Sequence, residues 1–171
     1  MNAVDTTAIR AAFEDVFDQA LVFHAFSDYM RDYDLFIYAT ADPSTGIQPD
    51  HLRYRFTHCV RADIHTAVSE ETWARSLDER LVTCDEGVNL DGYVWGVAWQ
   101  VLYPGISLVE RSPETARWSA ALGIPFHHAE VRTNGHNLDL VFSDLRVDRL
   151  GPGFSPFAVP EGGPDFKIPL S

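Results

Sequence analysis

Residues 51–66 read HLRYRFTHCVRADIHT, and this stretch decides the fold class of the chain. Its apolar side chains recur at every second position, at Leu52, Tyr54, Phe56, Val60, Ala62 and Ile64. Arginine, threonine, aspartate and histidine side chains fill the positions between them. Period-two alternation is typical of a β-strand with one buried and one solvated face. We therefore expect a single long strand over 51–66.

Two further segments predict strands of the same kind of sheet. DLFIYATA at residues 34–41 is followed by the turn-rich loop 42–50, so we expect an antiparallel hairpin with 51–66. YVWGVAWQVLY at 93–103 is uncharged on both faces, which predicts a central strand covered on both sides.

The C-terminal half predicts a second hairpin. Residues 126–133 and 136–150 alternate on either side of Asn134-Gly135, a dipeptide typical of a tight turn with positive φ at both positions. The apolar phase of the second segment slips by one residue at Ser143-Asp144. Such a slip predicts a β-bulge.

Helical patterns occur at three places. Residues 6–24 put apolar side chains at amphipathic spacing after a capping residue, which predicts one long helix. A shorter helix is expected at 70–77. Residues 112–122 carry an N-terminal Ser-Pro-Glu and a following Gly123, the usual signals for a helix start and end.

These elements together predict an α+β fold. We expect an antiparallel sheet curled into a sandwich or half-barrel, with helices at 6–24 and 112–122 packed on it. The length of 171 residues suits one domain over 1–171, with residues 151–171 as an extended tail rich in proline and glycine.

Charge and composition exclude several classes of function. The chain has 25 acidic and 13 basic side chains and a formal net charge of −12, and such a surface repels phosphate backbones. We expect no nucleic-acid partner. The N-terminal MNAVDTTAIR lacks the features of a secretion signal, and no apolar run is long enough to span a bilayer. We therefore expect a cytoplasmic protein without a membrane partner, in which Cys59 and Cys84 are by default reduced thiols and a disulfide between them is the alternative.

Seven histidines raise the question of a metal site, and the hairpin argues against one. If Asn134-Gly135 is the turn, His136 lies opposite Thr133, and His128 is about 16 Å away at about 3.3 Å per residue. One ion cannot contact both, and His127 and His128 point to opposite faces. Neither GxSxG, GxxxxGK[ST] nor GxGxxG occurs. We therefore expect no metal, no cofactor and no catalytic residue.

Four residues are candidates for a ligand or partner cleft, and each has a structural alternative. His58 lies on the apolar face of its strand, as either a hydrogen-bonded core histidine or a cleft residue whose pKa burial would tune. Trp95 and Trp99 share one strand face, which alternation explains as core as well as groove. Asp144 lies at the phase slip, where it either caps irregular backbone or faces a site beside the bulge.

Several short stretches carry a resemblance to a known family. They are Thr57-His58-Cys59, Gly92-Tyr93-Val94-Trp95-Gly96, Tyr103-Pro104-Gly105, Phe142-Ser143-Asp144-Leu145, and Trp73 with Ser76-Leu77-Asp78. Between about Asp28 and Leu150 the chain resembles the bacterial YxiG-like family of uncharacterised proteins. The resemblance carries over no catalytic residue, and it implies an intracellular binding role of the immunity type.

These observations favour a non-enzymatic, immunity-like binding protein whose acidic face docks on a basic protein partner, with association steered by charge. A small-molecule-binding protein or an enzyme with a cleft near Trp95, Trp99 and His58 is the alternative, and a structural domain of a larger assembly is a third. A deep pocket with convergent polar groups would favour the second, and a flat acidic surface the first.

Overall fold

We describe residues 6–39, 49–76 and 100–156 in a computed structural model of the protein. In these ranges the helices are α1 (Thr7–Glu14), α2 (Glu70–Ser76) and α3 (Pro113–Leu122). The strands are β1 (Ala20–Ser27), β2 (Asp32–Ala39), β3 (Asp50–Thr57), β4 (Arg61–Thr66), β5 (Gln100–Val101), β6 (Gly105–Leu108), β7 (His127–Arg132), β8 (His136–Phe142) and β9 (Asp144–Arg149). Within the same ranges, no helix has the length and apolar character needed to cross a membrane.

The strands form two antiparallel sheets. The five-stranded sheet has the order β5-β1-β2-β3-β9, and the four-stranded sheet has the order β4-β8-β7-β6. Every neighbouring pair is antiparallel. The predicted α+β class with antiparallel strands is confirmed, and so is the predicted pairing of 34–41 with 51–66, which appears as β2 and β3.

The prediction of one continuous strand over 51–66 is wrong. β3 ends at Thr57 in the five-stranded sheet, and β4 begins at Arg61 in the four-stranded sheet. Between them His58 has a φ of 48°, a left-handed conformation that no strand residue adopts. Cys59 then donates its backbone N–H to the Arg31 carbonyl oxygen at 2.7 Å. The chain therefore turns from one sheet into the other at His58.

The phase slip at Ser143-Asp144 marks a second transfer of this kind, so the predicted bulge is wrong. β8 ends at Phe142 in the four-stranded sheet, and β9 begins at Asp144 in the five-stranded sheet. The N–H of the intervening Ser143 donates to the Thr57 carbonyl oxygen at 2.9 Å. Strands that change sheet at a local break are a known way to build the corner between packed sheets.

The helix predicted over 6–24 is less than half that long in the structure, because α1 has eight residues. α1 ends at Glu14, Asp18 has a φ of 60°, and β1 starts at Ala20. β1 pairs with β2 on one side and with β5 on the other. The apolar residues after Asp18 fit either period over this short length, and strand pairing on both sides decides in favour of β1.

The hairpin at Asn134-Gly135 forms in the predicted register, which pairs Val131 with Leu138. The prediction of positive φ at both turn residues is wrong, since neither has one. Gly135 is instead tightly packed, because an added Cβ there would lie 3.0 Å from Gln100 Cδ. Gln100 Oε1 also accepts the His136 backbone N–H at 2.9 Å. Gln100 thus joins β5 to the turn of the other sheet.

α3 lies at its predicted position, and only its C-terminal end has the predicted capping geometry. Gly123 ends the helix with a φ of 71°, whereas the Ser112 side chain makes no capping hydrogen bond. No residue of α3 is fully buried, and the helix contacts the four-stranded sheet through half-buried side chains. Arg61 of β4 donates to the Glu114 carboxylate, and the Trp118 ring centroid lies 6.1 Å from that of Phe126. The helix predicted at 70–77 is present as α2 up to Ser76.

The predicted strand 93–103 falls mostly outside the described residues, and so do Trp95, Trp99 and Cys84. Its last part forms β5, which pairs with β1. Leu102, which follows β5, is fully buried. Its N–H donates to the Gln19 carbonyl oxygen, and its own carbonyl accepts the Asp18 N–H, both at 2.8 Å.

Both sheets supply one hydrophobic core. Phe56 of β3 meets Phe142 of β8 edge to face, with ring centroids 4.8 Å apart. Ile9 and Phe13 are the buried residues of α1 and belong to the same cluster. Edge-to-face aromatic pairs add about 0.5–1.5 kcal/mol to the free energy of burial. The core therefore ties α1 and the two sheets together at the level of the two strand transfers.

Candidate functional site

The two strand transfers lie against each other and form a polar corner. Ser143 Oγ lies 2.7 Å from His58 Nδ1 and 3.2 Å from the Thr57 carbonyl oxygen. Thr57 and Ser143 are buried, whereas the His58 ring is exposed. The corner therefore holds the ring of an exposed histidine in place through a buried hydroxyl group.

His58 is consequently not the core histidine that its strand phase suggested. Its left-handed backbone takes it off the apolar face, and its N–H donates to Asp32 Oδ1 at 3.0 Å. Asp32 is buried, so this hydrogen bond partly compensates the burial of a carboxylate. The alternative reading, a histidine that lines a cleft, stays a prediction.

Asp144 lies next to this corner. It pairs with Thr57 across β9 and β3, and its carboxylate accepts the backbone N–H of Leu145 at 2.9 Å. The side chain is otherwise exposed. The structure thus brings His58 and Asp144 to the same edge of the strand transfer, and the other two predicted cleft residues, Trp95 and Trp99, lie outside the described residues.

The corner does not have the arrangement of a Ser-His-carboxylate triad. Such a triad needs a carboxylate on the second ring nitrogen of the histidine. Within the described ranges, the His58 ring makes its one hydrogen bond to Ser143. The Asp32 carboxylate accepts the His58 backbone N–H and makes no bond to the ring. Ser143 Oγ also bonds to a backbone carbonyl, which satisfies the hydroxyl group. The corner therefore orients His58 and stabilises the strand transfer.

A second buried polar contact supports the corner from the neighbouring strand. Arg55 of β3 binds Asp34 of β2 with two hydrogen bonds, of 2.9 and 3.0 Å. Asp34 is buried, and its hydrogen bond raises the pKa of Arg55. Two-point arginine–carboxylate pairs are the strongest of the charge-assisted hydrogen bonds. This pair fixes β2 against β3 two residues before β3 ends at Thr57.

The four-stranded sheet carries a row of carboxylates on the face turned away from the core. Asp63 of β4 pairs with Asp139 of β8, and Asp139 pairs with Glu130 of β7. Alternation puts these three side chains on one face, opposite the core residues Leu138 and Leu140. We call Asp63, Asp139 and Glu130 the carboxylate row.

Each member of the carboxylate row contacts a basic side chain of its own strand or the next. Asp63 Oδ2 lies 2.9 Å from Arg61 Nε, Asp139 Oδ1 lies 3.1 Å from His128 Nε2, and Glu130 Oε2 lies 3.0 Å from Arg132 Nη2. Like charges directly opposite each other destabilise a sheet, and these contacts reduce that cost. One contact leaves most lone pairs of a carboxylate free for another donor.

The sequence analysis did not predict the carboxylate row, although the pairing of Glu130 with Asp139 follows from the predicted turn. The Asn134-Gly135 turn that places His136 opposite Thr133 also places Glu130 opposite Asp139. The pairing of Asp63 with Asp139 depends on the transfer at His58, which alternation does not reveal. The burial of Asp34 also carries no signal in a pattern of apolar and polar residues.

The cysteine of the corner is a structural residue. Burial raises the pKa of the Cys59 thiol to about 12, and the free thiol donates to the Arg61 carbonyl oxygen at 3.1 Å. A protonated, buried thiol is a poor nucleophile and a poor metal ligand. No group of three His, Cys, Asp or Glu side chains in the described ranges is arranged to hold a metal ion. The absence of a metal in the purified protein stays a prediction.

Comparison with known proteins gives a family and no function. The family model described as YxiG-like protein matches residues 5–160. The match therefore includes α1 and both sheets, beyond the stretch between Asp28 and Leu150 that suggested the family. No curated protein matches the chain. The chain belongs to the YxiG-like family.

Proposed function

We propose that this YxiG-like protein is a non-enzymatic, cytoplasmic and immunity-like binding protein whose acidic face docks on a basic protein partner. The carboxylate row carries the proposal. It presents three acidic side chains side by side on a sheet face, in a chain with a net charge of −12. Acidic surfaces attract basic partners at long range and speed their association.

The exposure of the row suits such a contact. The Asp63 side chain is 64% exposed and the Glu130 side chain is 34% exposed, so both can receive arginine or lysine side chains from a partner. Arg132 at one end of the row has a side chain that is 33% exposed and would pair with an acid of the partner, which makes the docking geometry specific.

In this proposal the two sheets pack face to face as a sandwich. The contact of Phe56 with Phe142 supports this arrangement, because it joins the inner faces of the two sheets. The carboxylate row would then lie on an outer face of the sandwich, beside α3, whose Glu114 binds Arg61 of β4.

The test compares two charge-reversal variants as bait in a host lysate. The first is Asp63→Lys with Glu130→Lys, which reverses two charges of the row. The matched control is Glu14→Lys with Asp15→Lys, which reverses two exposed charges at the end of α1. Both variants change the net charge equally. We expect the wild-type protein and the control to recover the same basic protein, and the row variant to lose it.

The recovered partner then permits a kinetic measurement. We expect its association rate constant to fall as salt approaches 0.15 M, where the screening length is about 8 Å. Reversal of the row should slow association by roughly tenfold and change dissociation less. A partner that binds both variants alike, or an on-rate that salt does not change, would contradict docking through the row.

A small-molecule-binding protein or enzyme with a cleft near Trp95, Trp99 and His58 is the second candidate function. The observation that favours it is the exposed His58 ring, which the buried Ser143 hydroxyl group holds at 2.7 Å. An oriented imidazole is useful at a ligand site, since its free ring nitrogen can make a hydrogen bond of fixed direction to a ligand. A metabolite that co-purifies with the wild-type protein and is lost from His58→Gln would support this function over partner docking.

A further inference from the structure

Strand β9 is an edge of the five-stranded sheet. Within the described ranges its one strand partner is β3, and no strand lies on its other side. Proteins commonly protect such an edge with a proline, a bulge or a very short strand, which hinders pairing with another chain. β9 contains no proline, and its register with β3 is unbroken over all six of its residues. The outer side of β9 is therefore a regular strand edge.

The outward backbone groups of β9 belong to its odd-numbered residues. Leu150 donates its N–H to the His51 carbonyl oxygen at 2.8 Å, so the N–H groups at even positions point toward β3. The groups at odd positions, Leu145 and Val147 among them, point away from it. Leu145 uses its N–H locally, on the Asp144 carboxylate, and no other strand of the described ranges reaches Val147 from that side. Val147 thus offers a donor and an acceptor in the middle of the edge.

The side chains on the outer face of β9 alternate in charge. Asp144, Arg146 and Asp148 lie on this face, because Leu145 between them packs against the core. Arg146 stands opposite Arg55 of β3, and like charges opposite each other destabilise a sheet. Arg55 has its own carboxylate on β2, whereas the exposed Arg146 makes no ion pair in the described part of the chain. Arg146 therefore lacks an acid that a strand on its other side would supply.

A second copy of β9 supplies that acid in one antiparallel register. With a two-fold axis at Val147, the two Val147 residues form a pair that exchanges both backbone hydrogen bonds. Arg146 of each copy then lies opposite Asp148 of the other, in the kind of pair that brings side chains closest. An axis at Arg146, Asp148 or Arg149 would place like charges opposite each other. An axis at Leu145 would pair little of the strand, because β9 begins one residue before it.

We propose that this protein forms a two-fold dimer in which the β9 strands of two copies pair and join the five-stranded sheets into one. The two aspartates and two arginines of β9 cancel, so the net charge of −12 does not oppose the contact at the strand itself. A pair of six-residue strands buries less surface than a standard interface, so the dimer dissociates in the micromolar range. The carboxylate row lies on the other sheet and is separate from this edge.

Sedimentation velocity of the full chain over a concentration series measures the dimer. About 0.15 M sodium chloride gives a screening length of about 8 Å, which reduces long-range repulsion between two acidic copies. Val147→Pro removes the outward N–H and no bond to β3, and an edge strand tolerates proline in this orientation. We expect the wild-type protein to pass from monomer to dimer as its concentration rises, and Val147→Pro to stay monomeric.

A matched pair of arginine variants separates the edge from general charge effects. Arg146→Asp puts two acids opposite each other in the dimer, whereas within its own chain it puts an acid opposite Arg55. It should therefore fold and weaken the dimer by roughly tenfold or more. Arg117→Asp makes the same charge change on α3, where the side chain is 67% exposed. The dimer of this control should dissociate within twofold of the wild-type concentration.

A mixture of two charge variants tests the register. Arg146→Asp and Asp148→Arg each repel their own kind, because both place like charges opposite each other across the axis. Mixed in equal amounts, the two chains should form a heterodimer, since each acid of one then faces an arginine of the other. Native mass spectrometry distinguishes this heterodimer from both homodimers. Asp148→Arg also breaks the ion pair with Arg53, so a thermal melt verifies its fold, and Val147→Pro with Arg146→Asp decides if it does not fold.

Three outcomes would overturn the inference. The first is a wild-type protein that stays monomeric up to about 500 µM, well above the micromolar range. The second is a dimer that Val147→Pro and Arg146→Asp leave as strong as in the wild type, which would place the contact elsewhere. The third is a mixture of two folded charge variants that yields no heterodimer. None of these outcomes bears on docking through the carboxylate row.

Discussion

His58 Nδ1 and Ser143 Oγ lie 2.7 Å apart, although 85 residues separate them in the chain. Each of the two residues stands at the point where its segment leaves one sheet for the other. The hydrogen bond therefore joins two breaks that would each leave polar groups unpaired on their own.

Removal of this hydroxyl group should destabilise the protein. Ser143→Ala removes the partner of His58 Nδ1 and one of the two donors to the Thr57 carbonyl oxygen. The exposed imidazole can turn to water and the Ser143 N–H still donates to this carbonyl, so we expect a loss of about 0.5–1.5 kcal/mol in the free energy of unfolding. Urea denaturation measures it. Ser107→Ala, on an exposed position of β6, is the control and should change stability by less than about 0.5 kcal/mol. Equal effects of the two changes would mean that the corner has no special role.

Helix α1 is expected to be a packing element that the fold requires. Phe13 is 3% exposed and its ring lies 6.2 Å from that of Phe56. Phe13→Asp would bury an unpaired charge, so we expect a loss of several kcal/mol. Phe17→Asp is the matched control, because Phe17 is 51% exposed. Thermal melts compare the two variants, and a melting temperature unchanged by Phe13→Asp would show that α1 is dispensable.

The turn between β7 and β8 should be sensitive to side-chain size at Gly135. A Cβ there would lie 3.0 Å from Gln100 Cδ, so we expect Gly135→Val to cost about 1 kcal/mol or more. Gly151→Val should cost less, since nothing lies within 4 Å of a Cβ at Gly151. Denaturant titration of both variants is the measurement. A Gly135→Val protein as stable as the wild type would show that Gln100 moves aside freely.

The sequence predicts the strand and helix content better than the path of the chain between elements. Alternation across 51–66 is correct for both β3 and β4, because the break at His58 keeps the even-numbered residues on the apolar face. Nothing in the pattern marks a left-handed residue, so the two strands read as one. At Ser143 the phase does slip, so the position of the break is predicted correctly. The break is a transfer between sheets and not the predicted bulge.

The predicted length of α1 is wrong for a different reason. Leu21, Val22 and Phe23 continue an apolar series that fits a helix, and only the pairing of β1 with two other strands makes them a strand. Of the candidate site, His58 and Asp144 meet at the corner as neighbours, whereas the carboxylate row depends on long-range strand register. Register between distant segments is set by tertiary packing and is not encoded in local periodicity.

Mild acid should destabilise the protein through two histidines. Burial lowers the pKa of His24 and of His127 from the ordinary value of 6.5. The unfolded chain then binds more protons than the native state, so the free energy of unfolding is largest above pH 6.5 and falls as the pH drops below it. Urea titrations at pH 7.5 and pH 5.5 measure the loss. The double variant His24→Gln with His127→Gln should reduce this pH dependence, and an unchanged slope would assign it to other groups.

The thiol of Cys59 is expected to be unreactive in the native state. Burial raises its pKa to about 12, so almost none of it is thiolate at pH 8. In a Cys84→Ser variant, a disulfide reagent such as DTNB should label the remaining thiol only as fast as the protein unfolds. Addition of urea should speed labelling in parallel with the loss of structure. Rapid labelling without denaturant would contradict the burial of this side chain.

The two transfers of the chain between the sheets also have a consequence for its synthesis on the ribosome. β3 ends at Thr57, and its neighbour β9 begins at Asp144, which lies 87 residues further along. At about 5 to 20 residues per second, a ribosome needs roughly 4 to 17 s for that stretch. During this interval one edge of β3 lacks its strand, and open edges recruit other chains. A nascent chain of this protein is thus expected to need chaperone protection until β9 emerges.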